Sequence, residues 1–200
     1  MINAIELFSG NADITKAFKE NGINCISVDY DESKHPDFCK DVYRLSTAFL
    51  MDFDFIWASP DCTTYSLASH GKHRKKGGIP VSDYAFRCDG ENALFVKKLL
   101  YINKPFIIEN PRGHLRNMFF MKGLHRATIY YSVYGAPYSK PTDLFSNVDI
   151  TPYFDQSVKF TRVHLDYCAS YENFLGRCKM PPLLIEDIIK AVRDICKEHK

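Results

Sequence analysis

The sequence lacks an apolar run of the roughly 18 to 20 residues that a membrane-spanning helix needs. Its first residues, MINAIELFSG, also lack the basic segment that opens a secretory signal. We therefore expect no targeting segment or membrane anchor, and a cytoplasmic or nucleoid-associated protein. No repeat, low-complexity tract or linker divides the 200 residues, of which 46% are hydrophobic. A chain of this kind can bury one core, so residues 1–200 are predicted to form a single domain.

No CxxC pair occurs among the seven cysteines, and their spacing is irregular. An odd number of irregularly spaced cysteines disfavours a disulfide framework and indicates free thiols in a reducing, intracellular compartment. His164, Cys168 and Cys178 are conceivable metal ligands, but no second close pair accompanies them. We therefore predict buried or surface thiols and no structural metal.

The net charge of +2 is too small to indicate a nucleic-acid partner by itself. Its distribution is more informative, because the segment SHGKHRKKGG (69–78) gathers basic residues between glycines. A mobile basic loop suits a polyanion. The alternative interpretation is an ordinary solvated surface loop.

Short apolar runs alternate with helical patterns through the first half of the chain. Strands are predicted at NAIELF (3–8), NCISVDY (24–30), FDFIWA (53–58) and KPFIIENP (104–111). Helical spacing follows in ADITKAFKENG, which stops at Asn21–Gly22, and in a long segment that begins near Ser82. This alternation predicts an α/β domain with a mainly parallel sheet and right-handed crossovers.

The pattern changes after Leu115. HRATIYYSVYGAP (125–137) and TDLFSNVDI (142–150) predict consecutive strands that form an antiparallel, hairpin-like edge. LLIEDIIKAVRDICKEH (183–199) predicts an amphipathic helix behind Pro181–Pro182. Residues 148–179 show no clear period, so we expect loops or short elements there.

Unusual residues follow the predicted strands at FSGN, VDYD, ASPDC and IENP. Ligands of open α/β sheets bind beyond the carboxyl ends of the strands. Gly10 permits close backbone approach, and the helix after it is expected to offer N–H groups to an anionic part of a ligand. Asp29 stands where such folds hydrogen-bond ribose hydroxyls. The pair favours a nucleoside-type ligand, and a capping role for Asp29 is the alternative.

Two further strand ends carry groups suited to chemistry. Cys62 exposes a sulfur to a cleft, where we expect neighbouring histidines and lysines to lower the pKa of its thiol. The alternative is an inert small side chain. Glu109 and Asn110 emerge from a buried strand, where a glutamate with a raised pKa serves as an acid or as a hydrogen-bond donor to a base ring. The alternative for Glu109 is an ion pair with Arg112 or Arg116.

Taken in order, these segments resemble the DNA (cytosine-5) methyltransferase family. ELFSGNADITKAF, VDYDES and CKDVYR resemble the three motifs that hold S-adenosylmethionine. SPDCTTYS resembles the Pro-Pro-Cys motif, with Asp61 at the usual second proline, and IENPRG resembles the Glu-Asn-Val motif. YGAPYSKPTDLFSN loosely resembles the Gln-x-Arg-x-Arg segment, and LGRCKMPPLLIEDI resembles the final motif.

The resemblance implies a Rossmann-like fold of S-adenosylmethionine-dependent methyltransferases and a cofactor site. Its residues would be Phe8, Ser9, Gly10, Asn11, Asp29, Tyr30, Asp41, Val42 and Pro60. It also implies that Cys62 attacks C6 of cytosine, that Glu109 hydrogen-bonds N3 and the exocyclic amine, and that C5 then accepts the methyl group. Asn110 would position the turn around the cysteine, and Lys140 stands at the first arginine of its motif.

The resemblance implies DNA as the substrate, either as a duplex with a flipped cytosine or as a single strand. The loop from Thr63 to Pro80 is where the family closes over the base. The predicted DNA contacts are Ser66, His70, Lys72, Arg74, Lys75, Lys76 and Arg112.

The sequence departs from the family pattern in two ways. Tyr138, Lys140 and Thr142 replace the glutamine and the two arginines, and lysine does not reproduce the arginine fork. The segment 148–179 is also too short for a sizeable target-recognition domain, so specificity should be relaxed or supplied by a protein partner. RNA, a free cytosine nucleotide, or a non-catalytic nucleic-acid-binding role that needs a partner are the alternatives. A phage or restriction-modification setting is suggested by analogy.

Overall fold

The computed structural model describes residues 1–69, 71–155 and 179–199. One sheet of seven strands forms the centre, in the order β3-β2-β1-β4-β5-β7-β6. The strands are β1 (Asn3–Leu7), β2 (Asn24–Asp29), β3 (Phe38–Cys39), β4 (Phe55–Ala58), β5 (Phe106–Pro111), β6 (His125–Tyr130) and β7 (Pro141–Ser146). The helices are α1 (Asp13–Glu20), α2 (Thr47–Met51), α3 (Asp83–Ile102) and α4 (Pro182–Glu198).

The sheet is parallel from β3 to β5 and antiparallel beyond. β7 pairs antiparallel with β5 on one side and with β6 on the other. The predicted α/β class and the antiparallel edge are therefore confirmed. The second strand of the predicted hairpin lies inside the sheet, and its first strand, β6, forms the outer edge.

Helices cover both faces because neighbouring residues of a buried strand point to opposite sides. Trp57 belongs to the core shared with α1 and α4, where Phe18 and Val192 are buried. Ile56 belongs to the core shared with α3, where Leu99 is buried. The parallel strands thus lie in a three-layer domain, with their carboxyl ends at one rim.

Local signals set most boundaries. The Ser82 side chain caps α3 by accepting a hydrogen bond from the Ala85 amide, at the predicted start. α4 begins at Pro182, one residue before the predicted start at Leu183. The prediction missed β3 and α2, which are too short to show a period.

Of the segment 148–179, residues 148–155 contain a 3-10 turn at Thr151–Tyr153, and residues 156–178 lie outside the described part. No helix in the described ranges is both long and apolar enough to cross a membrane.

Candidate active site

Two cavities open at the rim where β1, β2, β4 and β5 end. The first has a volume of about 240 Å³ and is lined by residues from β1, β4 and β5, among them Trp57, Ser59 and Glu109. The second has a volume of about 340 Å³ and lies toward α3 and the turn after β3. Phe8 lines both cavities. The parallel strand ends thus bring part of the predicted site together. Asp29, Pro60, Cys62 and Asn110 line neither of these two cavities.

The turn after β1 forms one wall of the first cavity. Ser9, Gly10 and Asn11 line it. The backbone takes positive φ angles at Phe8 (55°) and Gly10 (49°), and no atom lies within 4 Å of the position that a Cβ on Gly10 would occupy. The Ser9 hydroxyl is buried and has no hydrogen-bond partner among the described residues. A tight, open turn with a buried unpartnered donor suits a polar ligand group.

Asp29 shapes this turn from the end of β2. Its carboxylate is buried and accepts hydrogen bonds from the amides of Gly10 (2.8 Å) and Asp31 (2.9 Å). The structure thus shows the backbone-capping role that the sequence left open for Asp29. Contact with ribose hydroxyls remains a prediction.

Three other cofactor candidates lie at the second cavity, and Pro60 is not among them. Tyr30, Asp41 and Val42 line it together with Tyr43. The Asp41 side chain accepts hydrogen bonds from the Tyr43 amide (3.0 Å) and from Nε of Arg44 (3.2 Å). Tyr30 is 78% exposed, so its ring is available at the mouth of this cavity.

The expectation that α1 offers its first N–H groups to a ligand is wrong for two of them. Glu6 of β1 is buried beneath the helix, and its carboxylate accepts the Thr15 amide at 2.7 Å and the Ile14 amide. The Gly10 amide is likewise bound to Asp29. Burial raises the pKa of Glu6, and the hydrogen bonds from Thr15 offset part of this increase. The net effect is a pKa of about 7 instead of 4.5. Alternating strand residues gave no reason to expect a carboxyl group inside the core, so the sequence interpretation missed Glu6.

Cys62 lies in a tight turn directly after β4. Its carbonyl oxygen accepts hydrogen bonds from the amides of Tyr65 (3.0 Å) and Ser66 (2.8 Å). Asp61, at the usual second proline, accepts hydrogen bonds from the Thr63 amide (2.9 Å) and from the Tyr84 hydroxyl of α3. Asp61 thus stabilises this turn through hydrogen bonds, whereas a proline at this position would stiffen it through its ring.

The expectation of a lowered Cys62 pKa is wrong. Burial raises the pKa of the thiol, and the nearby carboxylates of Asp61 and Glu109 raise it further. Lys140 acts in the opposite direction. The loop histidine His73 instead bonds Ser82, with Nδ1 2.8 Å from the hydroxyl. Activation of the thiol therefore needs more than this resting environment.

Glu109 and Asn110 emerge from β5 beside the Cys62 turn. Glu109 is 8% exposed, and its Oε1 has no hydrogen-bond partner among the described residues. Burial raises the pKa of Glu109, while the charge of Lys140 and a hydrogen bond with Ser59 lower it. Asn110 donates from Nδ2 to the carbonyl oxygen of Pro60 at 2.9 Å, which links β5 to the residue two before Cys62. The predicted roles of both residues remain predictions.

The alternative ion pair for Glu109 is not formed with either predicted arginine. Arg116 pairs with the buried Asp143 of β7. Arg112 is exposed and donates from Nη1 to the Tyr130 hydroxyl at 3.2 Å. The carboxyl group of Glu109 therefore faces the cavity rather than an arginine.

Lys140 reaches the same cavity from the segment before β7. Its Nζ lies 4.8 Å from the centre of the Tyr131 ring and 3.5 Å from the Tyr131 hydroxyl. Tyr138 is buried with its ring 6.4 Å from that of Tyr131, and Thr142 is fully buried. Of the three residues that replace the family's polar segment, Lys140 alone lines the cavity. Tyr131 was missed because its position within a strand-like run gave no signal.

Arg74 joins the basic loop to α3 and to the segment after Cys62. Arg74 is fully buried and pairs with Asp89 of α3 at 2.6 Å. Its guanidinium also donates to the carbonyl oxygens of Thr64 (2.7 Å) and Gly78 (2.9 Å), and it lies 4.4 Å from the centre of the Tyr65 ring. The prediction that Arg74 contacts DNA phosphates is therefore wrong, because its donors are already used inside the protein.

The other predicted DNA contacts remain predictions. Lys72, Lys75, Lys76 and Arg112 are exposed, and Ser66 is partly buried. His70 lies outside the described residues, as do the conceivable metal ligands His164, Cys168 and Cys178. Within the described ranges no group of three histidine, cysteine or acidic side chains is arranged to hold a metal ion.

The seven-stranded sheet has strand β7 inserted antiparallel between β5 and β6, and this fold is similar to that of solved methyltransferases. A solved methyltransferase of Entamoeba histolytica, EhMeth, aligns with a TM-score of 0.54 at 14% identity, over 80% of this chain and 61% of that one. The Dnmt2 methyltransferase of S. pombe aligns with a TM-score of 0.50 at 13% identity, over 83% of this chain and 59% of that one. The chain thus spans about three fifths of these solved structures.

At the sequence level the chain is similar to a probable DNA (cytosine-5)-methyltransferase of Frog virus 3 (isolate Goorha). The two are 25% identical over 159 residues, which cover 72% of this chain and 70% of the viral protein. No family model matches the chain. The viral relative confirms the resemblance predicted from the motifs, and the solved structures confirm the fold.

Proposed function

We propose that this protein transfers a methyl group from S-adenosylmethionine to C5 of cytosine in DNA through a covalent adduct with Cys62. One observation carries the proposal: Glu109 is buried in a cavity at the strand ends, its Oε1 has no partner in the described part of the chain, and its neighbour Asn110 binds Pro60 in the Cys62 turn. An unpartnered buried carboxyl oxygen costs free energy unless a ligand uses it. A cytosine ring offers both a ring nitrogen and an amine to such a group.

The turn after β1 fits the proposed cofactor. Its open Gly10 and the buried, unpartnered Ser9 hydroxyl are suited to a polar group at close range. Phe8 lies between the first cavity and the second, which Tyr30, Asp41 and Val42 line, so an elongated molecule can reach both. When bound there, the cofactor supplies an electrophilic methyl group.

The residues of the chain would make the cytosine reactive. The Cys62 thiolate forms a bond to C6, and electron density moves into the ring. Glu109, whose raised pKa favours the protonated form, donates a hydrogen bond to N3 and stabilises the developing charge. C5 would then bond to the methyl group as the sulfur–methyl bond of the cofactor breaks, and the bonding electrons would stay on sulfur to leave S-adenosylhomocysteine. Loss of the C5 proton to a base and release of the Cys62 sulfur then restore the aromatic ring.

DNA is the proposed substrate because the viral relative is named a probable DNA (cytosine-5)-methyltransferase. The exposed Lys72, Lys75 and Lys76 support contact with a phosphate backbone. The cytosine must leave the base stack to reach a buried glutamate, so a flipped or single-stranded base is required. A protein partner that supplies specificity, an intracellular location and a phage or restriction-modification setting remain predictions.

The test is transfer of a labelled methyl group from S-adenosylmethionine to duplex DNA, single-stranded DNA, RNA and dCTP. We expect label on DNA with the unaltered protein and none with Cys62→Ala. Cys39→Ala is the matched control, because Cys39 is an exposed free thiol on the edge strand β3, which two strands separate from β4. Label on RNA or dCTP alone would show that DNA is not the substrate, while the proposed roles of Cys62 and Glu109 would stand. Absence of label with cofactor still bound would favour the non-catalytic alternative.

A further inference from the structure

Asn92 lies in the middle of α3 and uses both polar atoms of its side chain to join two tyrosines. It is 3% exposed. Its Oδ1 accepts a hydrogen bond from the Tyr43 hydroxyl at 3.2 Å, and its Nδ2 donates to the Tyr65 hydroxyl at 3.1 Å. The two tyrosines belong to different parts of the candidate site, and α3 lies behind both.

Tyr43 belongs to the cofactor side. It lines the second cavity directly after Asp41 and Val42. Its ring centre is 5.1 Å from that of Phe8, the residue that lines both cavities. A ligand that enters between the turn after β1 and the turn after β3 therefore meets a ring whose hydroxyl is held by Asn92.

Tyr65 belongs to the nucleophile side. It is fully buried, and its amide donates to the carbonyl oxygen of Cys62 at 3.0 Å. Its own carbonyl oxygen accepts the His114 amide at 2.7 Å, and a Cβ on Gly113 would lie 2.2 Å from that oxygen. The backbone of Tyr65 is thus fixed between the Cys62 turn and the segment that continues β5 beyond Glu109.

The hydrogen bonds form one directed chain. Tyr43 donates to Asn92, Asn92 donates to Tyr65, and Tyr65 donates to Asp89 at 2.9 Å. Asp89 ends the chain as a carboxylate held by both terminal nitrogens of Arg74, at 2.6 and 3.0 Å. Aligned donors polarise one another, and a buried group that loses its partner pays the desolvation cost. Displacement of one member is therefore resisted by the others.

We propose that Asn92 is a positioning residue that couples the cofactor cavity to the Cys62 turn across α3. The inference rests on the proposed function, since it assumes that the cofactor binds beside Phe8 and Tyr43. A ligand that fixes Tyr43 fixes the amide of Asn92, and Asn92 fixes the side chain of Tyr65. The backbone amide of Tyr65 in turn binds the carbonyl oxygen of Cys62. Coupling between two sites is reciprocal, so it is measurable from either end.

The experiment measures the alkylation rate of Cys62 by iodoacetamide with and without saturating S-adenosylhomocysteine. Peptide mass spectrometry resolves Cys62 from the other free thiols. In the unaltered protein we expect the ligand to change the Cys62 rate about fivefold or more, the lower range of typical coupling. In Asn92→Ala we expect this ratio to fall to within about twofold of unity, again on the scale of site coupling.

A second variant guards against a folding defect. Tyr43→Phe removes only the hydroxyl and keeps the ring against Phe8, and it should lose the coupling as Asn92→Ala does. Lys98→Met is the matched control. Lys98 also joins α3 to this turn, through the carbonyl oxygens of Tyr43 (3.1 Å) and Leu45 (2.6 Å), but it lies outside the hydrogen-bonded chain. This variant should keep the coupling.

Calorimetry of S-adenosylhomocysteine binding separates the possible failures. Failure of the unaltered protein to bind the ligand would overturn the proposed function and this inference together. Binding without any change in the Cys62 rate would overturn the inference alone. An unchanged rate ratio in both Asn92→Ala and Tyr43→Phe would also overturn it, because the ligand would then shield Cys62 directly.

Discussion

Two glutamates face the same cavity from different strands, and only one of them keeps a free oxygen. Glu6 on β1 and Glu109 on β5 are both buried, and burial raises the pKa of each. Glu6 is capped by the amides of Ile14 and Thr15 at the start of α1. Glu109 has an oxygen without a partner among the described residues. Burial and a raised pKa therefore do not by themselves distinguish an acid that acts on a ligand from one that holds the fold.

The basic loop shows the same contrast between a used and an available charge. The guanidinium of Arg74 is buried and binds Asp89, Thr64 and Gly78 inside the protein. Lys75, its neighbour in sequence, is exposed. Residue type and spacing made the two look equivalent. Their hydrogen bonds assign the arginine to the fold and leave the lysine available for a phosphate.

The largest expected effect comes from Glu109→Gln. Glutamine keeps the shape but cannot supply an acidic proton as charge builds on the base, so the methyl-transfer rate should fall about 10²- to 10⁴-fold. The free energy of unfolding should not decrease, because the variant removes a buried carboxyl group. Single-turnover transfer and chemical denaturation measure the two quantities. Retained transfer would show that the free oxygen of Glu109 has no catalytic use.

The next largest effect is expected for Arg74→Met, which removes the ion-pair partner of Asp89. Breaking a buried ion pair costs about 3–5 kcal/mol of unfolding free energy. The matched variant Lys75→Met should change stability by less than about 0.5 kcal/mol, as exposed substitutions do, and should reduce the salt dependence of DNA binding. Urea denaturation and binding at several salt concentrations test both. Equal stability losses would contradict the assignment.

The smallest expected effect concerns Glu6 and pH. The pKa of Glu6 is about 7 in the folded state and 4.5 in the unfolded state, so the folded protein binds this proton more tightly. Its contribution to stability is therefore full below about pH 4.5 and is lost as the pH rises to about 7, by about 3 kcal/mol. Glu6→Gln should remove this part of the pH dependence. Denaturation curves at several pH values measure it, and an unchanged slope would show that Glu6 ionises normally.

Much of the fold follows from local sequence pattern, because buried parallel strands form short apolar runs and amphipathic helices show a helical spacing of apolar residues. The strands that carry Asp29, Cys62 and Glu109 were predictable, and so was their common rim, since parallel strands end on the same side. β3 and α2 were not predictable, because elements this short show no periodic pattern in the sequence. The insertion of β7 beside β5 depends on pairing between distant segments, which adjacency in sequence does not report.

The candidate site divides in the same way. The order of residues along the chain specifies which groups stand at the strand ends: a thiol, a carboxyl group, an amide and a tight glycine turn. Which of these groups already have hydrogen-bond partners depends on the folded chain, because the partners come from remote segments. Glu6 meets α1, Arg74 meets Asp89, and Asn92 meets both Tyr43 and Tyr65. A side chain's chemistry is local, whereas its burial and its partners are properties of the folded chain.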